Sequence, residues 1–333
     1  TLRGARVTAL VLPAGGVLTV QDSALLANQG QVVSAAGMPV VLRGTRISQC
    51  AGNNPLVAGS YDVQGGVIED LTGTAFLFSN DGPKSLRLVG TTVRRVGSFA
   101  SLSGASVSVE GCQLETAGRS NISTTGAIVF SGTRVQGPGF TSLTLLSEGA
   151  VRVSDCVFTG LTGFPSGSSV LSMESVNGSG LLERSRFEGC VGGFSSTIVG
   201  VRGGDVRGCV VSGNTQIAEA MGVGNTAGRT TVVEDCEFTG NQSVSDSGVA
   251  LGVGRGQRTG DVRVRRCTFT GNSSFIHGGA MTVGSSSQDP WVKIVVESCQ
   301  FTDNSVIQGG SGGAVYAYGA NIAFVDCVFR GNR

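Results

Sequence analysis

The chain has 333 residues, 24 Lys and Arg against 23 Asp and Glu, and a formal net charge of +1. That balance offers no electrostatic footprint for nucleic acid or an acidic membrane face, and no apolar run of about 18 residues is present to cross a bilayer as a helix. Hydrophobic residues make up 40%, enough for a continuous core, while 54 Gly against 7 Pro, without the collagen period, indicate many tight turns between short strands.

Read from the N-terminus, the chain repeats one template. A small residue, here termed the slot, has apolar residues five and three positions before it and two after it. Ala5 is a candidate partial slot, with Leu2 and Val7 nearby. Slots follow at Ser23, Thr45, Gly66, Thr91, Cys112, Thr133, Cys156, Ser185, Cys209, Cys236, Cys267, Cys299 and Cys327. The apolar set is Tyr61, Val63 and Ile68 around Gly66, and Leu86, Leu88 and Val93 around Thr91. It is Val107, Val109 and Leu114 around Cys112, and Val151, Val153 and Phe158 around Cys156. The template is weakest at Ser185 and Cys209, which have Gly180 and Gly204 five positions earlier. It is clearest in VEDCEFTGN, VRRCTFTGN, VESCQFTDN and FVDCVFRGN, which end at Asn241, Asn272, Asn304 and Asn332.

Alternation of period two within each segment specifies strands, and the break of phase between the third residue before the slot and the slot itself specifies a bend. Slot spacings of 21 to 32 residues match one coil of a three-sided solenoid. A leucine-rich repeat has a similar period, but its leucine pattern is missing and the β-branched, Gly-rich composition disfavours a helix per repeat. The fold expected is all-β: a right-handed parallel β-helix of about 13 coils, forming a single elongated domain over residues 1–333. Such a rod is on the order of 60 Å long. Coils after Cys156 are longer, so binding loops are expected there, with Phe164, Phe194 and Phe275 off the core template as candidate anchors.

In-register coils stack like on like. Asn214, Asn241, Asn272, Asn304 and Asn332, with Asn28 earlier, are expected to form a side-chain amide ladder at a turn. Cys209, Cys236, Cys267, Cys299 and Cys327 are expected to stack in the slot as small apolar residues. Cys50 and Cys190 occupy the Asn position of their coils. Buried free thiols are the first expectation, and disulfides between neighbouring slots the alternative. No CxxC pair is present, so no metal site is expected. Of the sequons, Asn121 and Asn177 lie between repeat motifs and are candidate glycan sites in exposed loops, whereas Asn241 and Asn272 belong to the ladder.

Candidate chemistry is sparse. Asp155, Asp235 and Asp326 precede their slots, and Glu110, Glu183, Glu234 and Glu297 lie two before theirs; both sets are scattered along the chain and read as solvated outward faces. Arg265 and Arg266 flank Cys267 with no acid cluster in sequence. His277, the one histidine, precedes a Gly-Gly pair and suggests no triad. No catalytic residue and no cofactor are expected, and the chain reads as a non-enzyme.

Phe-x-x-Asn segments (238–241, 269–272, 301–304, 329–332) alternate with Gly-Gly-Ala segments at 278–280 and 312–314. This pattern resembles the repeats of the polymorphic outer-membrane proteins of chlamydiae, clearly over residues 205–333 and only in outline before that. The resemblance implies a secreted, extracellular or cell-surface rod serving adhesion or structure. Its partners would be other protein subunits or domains of a surface assembly, or glycans, with no nucleic acid and no membrane insertion of this segment. It carries no catalytic residue across. A pectin-lyase-like carbohydrate-active or carbohydrate-binding β-helix is the alternative. With repeat motifs close to both Thr1 and Arg333, the chain reads as a piece of a longer protein with uncapped ends.

Overall fold

A computed structural model describes residues 2–3, 10–11, 16–28, 32–50, 56–78, 84–104, 106–138, 142–162, 167–193, 195–224, 229–244, 249–253, 260–284, 293–319 and 321–333. Among these residues there is no helix. Among the described residues strands pair in parallel, in one array of 36 strands with a separate ladder of four. The result is a solenoid with three faces per coil: a sheet before the slot, a sheet after it, and a third sheet closing the triangle.

The periodicity of the sequence is read out directly as register. In the sheet after the slot, one apolar column runs Leu25, Ile47, Ile68, Val93, Leu114, Val135, Phe158, Phe187, Val211, Phe238, Phe269, Phe301, Phe329. In the sheet before the slot, Val153, Leu182, Val206, Val233, Val264 and Val296 stack. In the third sheet, Leu145, Met173, Val201, Val223, Val253 and Val283 stack. These columns meet inside one continuous core, whose burial supplies most of the stability. The rings of Phe238, Phe269, Phe301 and Phe329 stack face to face at 4.7–4.9 Å.

Two corners per coil fix the triangle. The residue before each of the thirteen slots has left-handed φ, between 45° and 66°. The residue four after the slot does so as well, in twelve coils. Glycine takes this conformation freely, whereas an L-residue pays about 1–2 kcal/mol. The sheet after the slot is therefore the short stretch between two left-handed corners. Sequence periodicity predicts only the first of these bends.

One expectation is corrected: the solenoid has about 11 turns rather than 13, in keeping with thirteen slots enclosing only twelve intervals. Ala5 lies outside the described residues; Leu2 pairs with Leu25, in the column that follows a slot. The weak coils at Ser185 and Cys209 have a physical cause: Gly180 and Gly204 stack so closely that a Cβ on Gly204 would lie 2.8 Å from the Gly180 backbone.

Candidate functional site

The asparagine column is a closed hydrogen-bond system. Asn214, Asn241, Asn272 and Asn304 are fully buried. The Nδ2 of each donates to Oδ1 of the next, at 2.8, 2.9, 3.0 and 2.9 Å. The same Oδ1 accepts the backbone N–H of the earlier residue at 3.0–3.2 Å. The second Nδ2 hydrogen of Asn214, Asn272, Asn304 and Asn332 goes to the carbonyl of Phe187, Phe238, Phe269 and Phe301, respectively. In Asn241 and Asn272 every side-chain donor and acceptor lobe is occupied, which leaves them no means to carry a glycan. Asn121 is exposed, but on the strand Ser120–Thr124 rather than in a loop. Asn177 is exposed in a turn.

All nine cysteines are free thiols. Their role in the slot is more specific than apolar filling. Cys112, Cys156, Cys236, Cys267 and Cys299 each donate from Sγ to the carbonyl two residues earlier, at 3.2–3.4 Å. Thr45, Thr91, Thr133 and Ser185 do the same through oxygen at 2.9–3.2 Å. Except at Gly66, where a Cβ would meet the Thr45 backbone, the slot holds a short side chain with a donor, which is why Ser, Thr and Cys alternate there. Burial pushes the Cys156 and Cys190 thiols up to about 11, so they are protonated and unreactive at neutral pH.

Glu69, Glu183 and Glu234 are buried, whereas Asp155, Asp235 and Asp326 are exposed as expected and Glu110 and Glu297 are half-buried. Stacking joins residues that lie 23 to 32 apart in sequence into three ion clusters. Glu69 is 1% exposed, and its carboxylate accepts from Arg46, Arg94 and Arg95. Glu183, 8% exposed, is held by Arg152 and Arg184. Glu234, 6% exposed, is held by Arg207, Arg265 and Arg266. Beside each glutamate, a left-handed Asp is bridged through both oxygens by the left-handed Arg of the next coil: Asp70 by Arg95, Asp155 by Arg184, Asp235 by Arg266. The outward reading of Glu183 and Glu234, and of Arg265 and Arg266 as lacking acids, is thereby overturned. Burial alone would raise Glu69 and Glu183, but hydrogen bonds from their arginines outweigh it and hold both below the usual carboxylate range. Asp155 and Asp235 are likewise lowered by hydrogen bonds from Arg184 and Arg266.

A different arrangement occupies the outer side of the third sheet. One outward row runs Ser172, Gly200, Gly222, Gly252, Thr282, Tyr316. At Gly200 and Gly222 the row leaves a trough, and a cavity of about 290 Å³ opens there, lined by Ser169, Ser172, Thr197, Gly200, Arg202 and Glu219 among others. Glu219 is 8% exposed and accepts from the Thr197 hydroxyl at 3.3 Å. Its carboxylate lies across the glycines: a Cβ on Gly222 or Gly252 would stand 2.8 or 1.8 Å from its oxygens. At the rim Arg202 faces Glu174 at 3.9 Å. Further along, Tyr316 stacks on His277 at 4.2 Å, and Tyr318 lies over Gly284. Sequence reasoning missed Glu219. The signal was the recurrence of Gly-Val at 200–201, 222–223 and 252–253, which appears only when the third-sheet segments are aligned. Among the candidate anchors, Phe275 is half-buried in a turn, and Phe164 and Phe194 lie outside the described residues.

The model of the right-handed β-helix region matches residues 90–329, well over half of the chain. The chain belongs to this right-handed β-helix family. The match covers the coils from Thr91 onward and sets the hand of the solenoid there. No curated protein matches the sequence. Among solved structures, the β-helix is similar to catalytic domains of a GH87 alpha-1,3-glucanase. One, in complex with nigerose, is 8% identical with a TM-score of 0.31, covering 93% of this chain and 64% of that one. A variant with tetrasaccharides is 11% identical with a TM-score of 0.30, covering 93% and 62%. The chain spans less than two thirds of those domains, and likeness at this level carries no functional argument.

Proposed function

We propose that this β-helix is a non-catalytic rod of an extracellular or cell-surface assembly, with structural and adhesive roles, presenting its outer faces and loops to protein or glycan partners. The observation that carries the reading is the fate of the carboxylates. Glu69 and Glu183, with their neighbouring aspartates, are tied to arginines of adjacent coils and held in the ionised form. A general acid needs the opposite, a carboxyl kept protonated near the working pH. The charged groups of these clusters serve coil stacking. The repeat resemblance to chlamydial polymorphic outer-membrane proteins supports a surface adhesion module, and the partners proposed are subunits or domains of the same assembly, or surface glycans.

A carbohydrate-active β-helix is the second reading, favoured by the trough around Glu219. Glycoside hydrolysis uses two carboxyls about 5–10 Å apart. The second acid on this face, Glu174, is paired with Arg202. The test is incubation of the purified chain with a panel of neutral and acidic polysaccharides. Retention on a polysaccharide or a protein surface without release of reducing ends is expected. Release of reducing ends that disappears in Glu219→Gln would overturn the non-catalytic reading.

A further inference from the structure

We propose that the third-sheet trough is a binding site for a linear, neutral saccharide chain lying along the rod axis, with one sugar ring seated over Gly200 and Gly222 against Glu219. The proposal rests on the adhesive reading above and names the ligand and place that reading leaves open. Three features carry it.

The first is a bare floor. Along most of the solenoid, outward positions carry side chains that close the surface, but here Gly200, Gly222 and Gly252 are consecutive in one row. The floor is pre-shaped around the acid, because any side chain on Gly222 or Gly252 would strike the Glu219 carboxylate. Strands stack about 4.8 Å apart, so the floor at Gly200 and Gly222, closed beyond by the Glu219 carboxylate over Gly252, runs about 5 Å along the axis, of the order of one sugar ring.

The second is the chemistry of the lining. A saccharide presents adjacent hydroxyls that donate and accept. A carboxylate accepts from two neighbouring hydroxyls at once, and burial strengthens such bonds. Glu219 is nearly buried and positioned by Thr197. Ser169, Ser172 and Thr197 add hydroxyls, and Arg202 adds donors at the rim. Arg202 and Glu174 pair at the rim, so Glu219 sets the charge of the floor and disfavours a polyanionic chain; the ligand is neutral.

The third is the aromatic continuation. Tyr316 stands two strands beyond Gly252 in the same row, its ring stacked on His277 at 4.2 Å. Tyr318, 42% exposed, lies beside it across Gly284. Aromatic rings accept the apolar face of a pyranose, and their position down the axis calls for a chain of several units rather than one sugar.

The experiment is calorimetric titration of the chain with neutral oligosaccharides of increasing length and with a polyuronate. Affinity rising with length for a neutral series is expected. Gly200→Leu fills the cavity without a backbone clash, since a Cβ there meets nothing closer than 3.8 Å; it should abolish binding with the melting curve unchanged. Glu219→Gln keeps the shape and should weaken binding about tenfold or more, and Tyr318→Ala should weaken long ligands more than short ones. Unchanged affinity in both Gly200→Leu and Glu219→Gln would overturn the site, as would preference for the polyuronate. If no neutral oligosaccharide binds while the chain still adheres to protein surfaces, the saccharide proposal falls and the adhesive reading stands.

Discussion

Arg266 donates to both oxygens of Asp235 at 2.7 and 2.8 Å, and both residues hold left-handed φ, 51° and 55°, at stacked corners of successive coils. The same combination occurs at Asp155 with Arg184 and at Asp70 with Arg95, whereas many other coils have Gly at the corner. The ion pair offsets the strain of placing an L-residue where glycine fits. Arg266→Ala is therefore expected to lower stability measurably, retaining the strain and losing the charged hydrogen bonds. The double change of Asp235 and Arg266 to Gly should recover most of that loss. Denaturant midpoints of the three proteins measure it; a double variant less stable than the single one would show that strain is not the term being offset.

The lowered carboxylates set an acid limit. Asp155, Asp235, Glu69 and Glu183 titrate in the folded rod below their ordinary values. Their contribution is complete above the unfolded values, near pH 4, and is lost as pH falls through the lower folded values. Stability should thus be level from neutral pH down to about pH 5 and decline below about pH 4. Glu183→Gln should lower stability at pH 7 and reduce the acid decline. Denaturant titrations at pH 7 and pH 3 provide the comparison, with equal pH dependence in both proteins as the contrary result.

Asn272→Asp replaces a side-chain amide that donates to Asn304 and to the Phe238 carbonyl with a group that can only accept when ionised. Oxygen would then face oxygen on both sides in a buried column, a cost of about 3 kcal/mol. Solenoid coils depend on their neighbours, so the loss should spread to the coils of Asn241 and Asn304 before the rest. Hydrogen exchange of the Asn241 and Ser273 amides should rise while amides around Val109 stay protected. Uniform exchange along the rod would contradict a local ladder.

The core was legible because burial imposes a period on residue type: Val264, Phe269 and Asn272 each repeat at fixed offsets from Cys267. The second corner was legible as a turn beside the Asn column, but its left-handed residue was not, because Gly, Asp, Arg, Gln and Ala all occupy it. The ion clusters were hidden for a topological reason. Arg266 and Asp235 are 31 residues apart, and only the coil length brings them together. Glu219 was hidden because its neighbours are defined by missing side chains, and a glycine row in a Gly-rich sequence carries little contrast.

Phe269 is fully buried, with its ring parallel to Phe238 and Phe301 at 4.9 and 4.7 Å. Phe269→Ala should cost about 3–5 kcal/mol through lost burial and the cavity left behind. Phe269→Leu should cost much less. Thermal melting of both variants gives the ranking, and equal losses would mean the column tolerates a void.

The slot provides the sharpest test of side-chain chemistry. Cys267 is buried, and its Sγ donates to the Arg265 carbonyl at 3.3 Å, as the Thr133 and Ser185 hydroxyls do to Ser131 and Glu183 in their own coils. If the slot requires a short donor, Cys267→Ser should be accepted within about 1 kcal/mol, because the hydroxyl makes the same bond. Cys267→Val has the right apolar character but no donor and a second branch in a crowded corner, so it should cost about 1–3 kcal/mol. Were the slot merely apolar, the order would reverse, since a buried hydroxyl without a partner is costly. Urea midpoints of the two variants decide between these, and a Val variant more stable than the Ser variant would refute the donor requirement.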